Sequence, residues 1–137
     1  MFRALLSLLL VFTLVSCNSD QVSNSGQAPA TISAESPLGQ FLASSSKPAV
    51  IKFHAEWCST CKKYKPTFEK VATDMANNID FYEVDVDDAQ YKGLLKQLKV
   101  SRIPETVFVT MDRTNVTKKL GAIPRVKLEK LITTQLI

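Results

Sequence analysis

The feature that most constrains this chain is Cys58-Ser59-Thr60-Cys61, placed where one kind of hydrophobic pattern gives way to another. Upstream, Ala49 to Ala55 (AVIKFHA) is a short apolar run behind Pro48 that reads as an inner strand. Downstream, Cys61, Tyr64, Phe68, Val71 and Met75 recur at intervals of three and four, which predicts a helix with one face turned to a core. Pro66 falls inside that helix and is expected to kink it. Cys58 therefore stands at a helix start, where unsatisfied N–H groups and the positive end of the dipole favour thiolate over thiol. Cys61, one turn on and on the apolar stripe, is expected to be the more buried sulfur.

Two thiols at this spacing admit three uses. A structural disulfide would close a loop of about four residues, which contributes little stability. A metal site needs about four ligands, and the single histidine, His54, comes with no second cysteine pair. Redox exchange uses the asymmetry directly: Cys58 attacks a substrate disulfide and Cys61 resolves the mixed disulfide.

The rest of the domain alternates. Leu38, Phe41 and Leu42 predict a short helix from Pro37. Ile79 to Val86 reads as a strand, Tyr91 to Leu98 as a helix, and Thr106 to Thr110 and Val116 to Leu120 as a strand pair around Asp112 to Asn115. Val126, Leu128, Leu131, Ile132 and Leu136 predict a closing helix. The order α, β, α, β, α, β, β, α implies an α/β fold, a central mixed sheet with helices on both faces. An apolar fraction of 45% in 137 residues suffices for one such core.

Residues 1–16 form a separate unit: Arg3, then an apolar run from Ala4 to Val15 broken by Ser7 and Thr13. As a helix those residues would rise about 18 Å against a hydrocarbon layer of about 30 Å, so a signal peptide fits better than a membrane span. Leu14-Val15-Ser16-Cys17 resembles the lipobox of bacterial lipoproteins, which implies cleavage before Cys17 and lipidation of its sulfur. Acyl chains contribute about 0.8 kcal/mol per buried CH₂, so the expectation is a membrane anchor without a spanning segment. Acylating Cys17 leaves Cys58 and Cys61 as the one remaining pair. The residue after the cysteine is Asn18, which leaves the choice between inner and outer membrane open. Residues 17–36, rich in Ser, Asn, Gln and Ala, read as the lipidated cysteine and a tether of roughly 25 Å reach. The domain proper is expected over residues 37–137.

Without residues 1–16 the chain holds 16 cations against 13 acids, a net +3. Lys118, Lys119, Arg125, Lys127 and Lys130 read as a solvated helix face. No arginine-rich or aromatic-basic run suggests nucleic acid.

Ala55 to Lys62 (AEWCSTCK), with Pro66 beyond, resembles the active site of the thioredoxin family. Three further segments follow in the family's order: Glu83 to Asp88 (EVDVDD), Val100 to Thr106 (VSRIPET) and the turn Leu120-Gly121-Ala122. The resemblance spans about residues 37–137. It implies a thioredoxin fold, a Cys58–Cys61 disulfide in the oxidised state, a cis bond before Pro104, and a substrate segment pairing with the Ile103 backbone beside Trp57. It implies no cofactor and no metal, protein disulfides as substrates, and a monomer. An exported member would draw electrons from a membrane thiol transporter, with apocytochrome c or an oxidised envelope protein as client, facing the periplasm or the cell exterior.

Two departures stand out. Ser59-Thr60 replaces the usual Gly-Pro. Lys52 occupies the position of the family's buried aspartate, and Glu83 aligns where a lysine often pairs with it, so a Lys52–Glu83 pair of reversed polarity that tunes the buried side is expected. A lysine reaching solvent is the alternative. His54 is read as a packing or solvation residue. An oxidase or isomerase on the same residues, a metallochaperone using the two thiolates and His54, and a redox-inactive adaptor remain alternatives.

Overall fold

The computed structural model describes residues 34–137. The expected signal peptide, the expected lipidation at Cys17 and nearly all of the expected tether lie outside the described residues. Helix α1 (Pro37–Phe41) leads to β1 (Ala49–His54), α2 (Ser59–Met75) and β2 (Asp80–Asp85). A 3₁₀ turn (Ala89–Tyr91) runs into α3 (Lys92–Leu98), followed by β3 (Glu105–Val109), β4 (Val116–Leu120) and α4 (Arg125–Leu136). The sheet order is β2-β1-β3-β4, with β1 and β2 parallel and the other two pairs antiparallel. The parallel pair needs the long α2 crossover, whereas β3 and β4 close as a hairpin.

Strand β1 is buried on both sides because helices cover both faces. Ala49, Ile51 and Phe53 meet Leu38 of α1, Leu42 at its C-cap, and Leu94 and Leu98 of α3. Val50 meets Tyr64, Phe68 and Val71 of α2 and Leu128 and Ile132 of α4. Strand alternation puts Lys52 on the same side as Val50, under α2.

Element boundaries differ from the sequence reading by a residue or so, each for a local reason. Ala55 leaves β1 because its carbonyl accepts from the Cys58 N–H in the turn before α2. The helix expected from Tyr91 begins at Lys92, behind a tighter turn in which Asp88 caps the Gln90 N–H. Strand β3 starts at Glu105 and ends before Thr110, whose hydroxyl is drawn to Asp112 in the hairpin turn. Arg113 in that turn has φ 60, and its guanidinium donates to the carbonyls of Ser45 and Lys47 at 2.9 and 3.1 Å. Helix α2 runs through Pro66 without a break.

The basic residues near the C-terminus do not form one helix face. Gly121 (φ 88) turns the chain between Lys118 and Lys119 on β4 and the residues of α4. Lys118 Nζ lies 3.4 Å from Glu105 Oε1 and donates to the Leu98 carbonyl at 2.8 Å, while Arg125 pairs with Asp74 and Glu129.

Candidate active site

Cys58 is the N-cap of α2. Its backbone is extended (φ −82, ψ 103), and its sulfur accepts from the Cys61 N–H at 3.2 Å, satisfying one of the orphan donors of the first turn. Cys58 and Cys61 form a disulfide, with Cα atoms 5.2 Å apart. Cys61 is the more buried, as its place on the apolar stripe predicts, but the margin is small: 3% exposed against 7% for Cys58. The contrast between the sulfurs lies in their places at the helix start more than in exposure.

The Ile103–Pro104 peptide bond is cis. Ile103 packs against Ala55, Cys58 and Cys61, so the proline loop and the disulfide share one small apolar cluster. The Pro104 carbonyl accepts from the Gly121 N–H at 2.7 Å, which ties this loop to the turn after β4. Trp57 is 70% exposed, and its indole N–H donates to Asp87 at 2.7 Å.

Behind the disulfide, Lys52 is 1% exposed and pairs with Glu83, its register partner across the parallel β1/β2 ladder. The ammonium does not reach solvent; it lies 4.8 Å from the Phe68 ring centroid. His54 Nε2 is 4.0 Å from the other oxygen of Glu83. Lys52, His54 and Cys61 line one small cavity of about 150 Å³, joined by Lys62 and Lys65. Beneath it, Tyr64 hydrogen-bonds Thr106 at 3.2 Å, linking α2 to β3 just past the cis-proline. Burial pushes the Tyr64 phenol up to about 12, with the Thr106 hydrogen bond pulling the other way.

The structure thus brings together Cys58, Cys61, Ile103 and Pro104, with Lys52 and Glu83 on the inner side and Trp57 on the rim. Sequence reasoning missed the Asp87 tether on Trp57, the Tyr64–Thr106 bond and the Gly121–Pro104 clamp. Asp87 was in view within EVDVDD, but nothing in that acidic run distinguishes it from Asp85 or Asp88. Among the described residues no helix is long and apolar enough to cross a membrane.

A disulfide capping a helix beside a cis-proline, on a four-stranded mixed sheet covered on both faces, defines a thiol–disulfide oxidoreductase of the thioredoxin fold. The family model for thioredoxin matches residues 30–134, and the chain belongs to the thioredoxin family. It is 35% identical to a thioredoxin of Mycoplasmoides gallisepticum over 101 residues, 74% of this chain and 96% of that protein. It is 39% identical to a thioredoxin of Borreliella burgdorferi over 66 residues, a match covering 48% of this chain and 55% of that protein. The X-ray structure of Fasciola hepatica thioredoxin superposes with a TM-score of 0.60 at 28% identity, over 71% of this chain and 89% of that one.

Proposed function

We propose that this protein is a lipid-anchored reductase of exported protein disulfides, with Cys58 as nucleophile and Cys61 as resolving thiol. The observation that carries the exchange chemistry is the Cys58 sulfur acting as N-cap of α2: the N–H that it accepts stabilises a thiolate at that atom. In the reduced state the Cys58 thiolate attacks one sulfur of a client disulfide and the other client sulfur leaves as a thiol. Cys61, deprotonated, then attacks the Cys58 sulfur, and the second client thiol departs. The client gains two electrons and two protons, and the protein is left with its disulfide. A dithiol at the membrane returns the two electrons.

Lys52 and Glu83 are positioning residues in this reading. A cation held by Glu83 behind Cys61 lowers the cost of the Cys61 thiolate, the task that the family's aspartate performs as a base. The anchor rests on the resemblance of Leu14 to Cys17 to a lipobox and on the polar tether that follows.

Three experiments test the proposal. A Cys61→Ala chain expressed in cells should accumulate mixed disulfides through Cys58; clients captured instead through Cys61 in a Cys58→Ala chain would reverse the assigned roles. Equilibration with a thiol buffer should give a potential near the reducing end of the family, about −270 mV, whereas one near −120 mV would make it an oxidase. Radiolabelled fatty acid should enter the native chain and not Cys17→Ser, and label retained in that variant would remove the anchor.

A further inference from the structure

Beside the cis-proline loop lies an open groove of about 590 Å³. Trp57, Val86, Leu95, Val100, Ile103 and Leu120 give it apolar walls, and Arg102 is the one charged residue among those that line it. Arg102 is exposed and makes no hydrogen bond or ion pair within the described residues. Asp87 is already engaged by the Trp57 indole. The Trp57 N–H is therefore not offered to a client, and its ring presents an apolar wall.

A lone guanidinium beside apolar walls is a recognition element for carboxylate. It carries a fixed fork of donors, it is weakly hydrated, and the low-polarity walls reduce the screening of a charge pair formed against them. We propose that Arg102 selects clients whose disulfide is flanked by an apolar side chain next to an Asp or Glu, the apolar group filling the groove and the carboxylate meeting the guanidinium. This specificity rests on the disulfide-exchange reading above and adds the chemistry of the client to it. Arg102 precedes the Ile103–Pro104 bond, so the charge contact falls one residue from the loop that packs on the disulfide.

The test uses the full chain in detergent, reduced beforehand, mixed with three fluorogenic peptide disulfides. The peptides share a leucine beside the cysteine and differ only in a neighbouring Glu, Gln or Lys. A partly exposed ion pair is worth up to about 1 kcal/mol, so the Glu peptide should react about fivefold faster than the Lys peptide at low ionic strength, with the ratio shrinking in high salt. Arg102→Gln should bring the ratio below about twofold, and Arg102→Glu should invert it. Lys99→Gln, a nearby cation outside the groove lining, should leave the ratio in place. A ratio unaltered in Arg102→Gln, or one that collapses equally in Lys99→Gln, overturns the proposal while disulfide exchange stands. No reaction with any of the three peptides overturns both.

Discussion

Lys52 on β1 and Glu83 on β2 are direct register partners in the parallel ladder, and their side chains close an ion pair with the lysine 1% exposed and the glutamate about one-third exposed. The two ends of this pair carry unequal burdens. Removing the acid strands a buried ammonium, whereas removing the cation leaves a carboxylate that water already reaches.

Glu83→Gln is accordingly expected to lower the unfolding free energy by about 2–3 kcal/mol, less than for a fully buried pair because Glu83 is partly solvated. Lys52→Met, which keeps the volume, should fall within about 1 kcal/mol of the parent. Urea unfolding of both variants checks the asymmetry. Equal losses would show that Lys52 is held by its Phe68 contact rather than by Glu83.

Stability at high pH should carry the signature of Tyr64. Its phenol ionises near 10 in the unfolded chain and near 12 in the fold, so its contribution is complete below pH 10 and is lost as pH rises toward 12. Up to about 2–3 kcal/mol is at stake. Tyr64→Phe should be less stable at neutral pH through the lost Thr106 bond, yet show a shallower decline than the parent between pH 10 and 12. Parallel unfolding curves across that range would contradict the assignment.

How much of this was legible beforehand depended on whether the signal was local. The periodicity from Cys61 to Met75 and the run from Ala49 located α2 and β1, since both patterns reflect which faces are covered. Pro104, Lys52 and Glu83 were reached through the resemblance to the thioredoxin family, whose ordered segments place them, and not through any local pattern. The Tyr64–Thr106 bond joins residues 42 apart in the chain, and the Trp57–Asp87 bond residues 30 apart. No periodicity encodes such pairings; they follow from register across the sheet and from the hand of the α2 crossover. Cys58 is nearly as buried as Cys61 because Ile103 and Val86 pack on the apolar cluster around it from distant segments.

Gly121→Ala should destabilise the proline loop. The space around a Cβ there is open, but φ 88 is costly for an L side chain, and the strain falls on the residue whose N–H holds the Pro104 carbonyl. A loss of about 1–2 kcal/mol is expected. Hydrogen exchange should quicken at Gly121 more than in β1, and a uniform rise across the sheet would count against a local clamp.

The single tryptophan reports on its own tether. Asp87→Ala frees the indole N–H, so fluorescence anisotropy of Trp57 should fall and its emission shift toward the red. An unaltered spectrum would mean that packing alone holds the ring.

Arg113→Ala removes the guanidinium that fastens the β3/β4 hairpin to the loop before β1 through the Ser45 and Lys47 carbonyls. The expected loss is about 1–2 kcal/mol. Arg113→Gly should lose less, because it relieves the left-handed backbone at the same residue. Thermal unfolding of the two variants ranks them.

The atom that caps α2 is also the atom proposed to react, so the chemistry and the beginning of the helix are not separable. Each change in what Cys58 is bonded to alters the charge on the acceptor that the Cys61 N–H sees, and the first turn is held more or less firmly with it. Replacing Cys58 by serine keeps a capping oxygen, while alanine abolishes cap and reactivity together. An inert variant chosen for binding studies is therefore also a choice about how well ordered the docking surface will be.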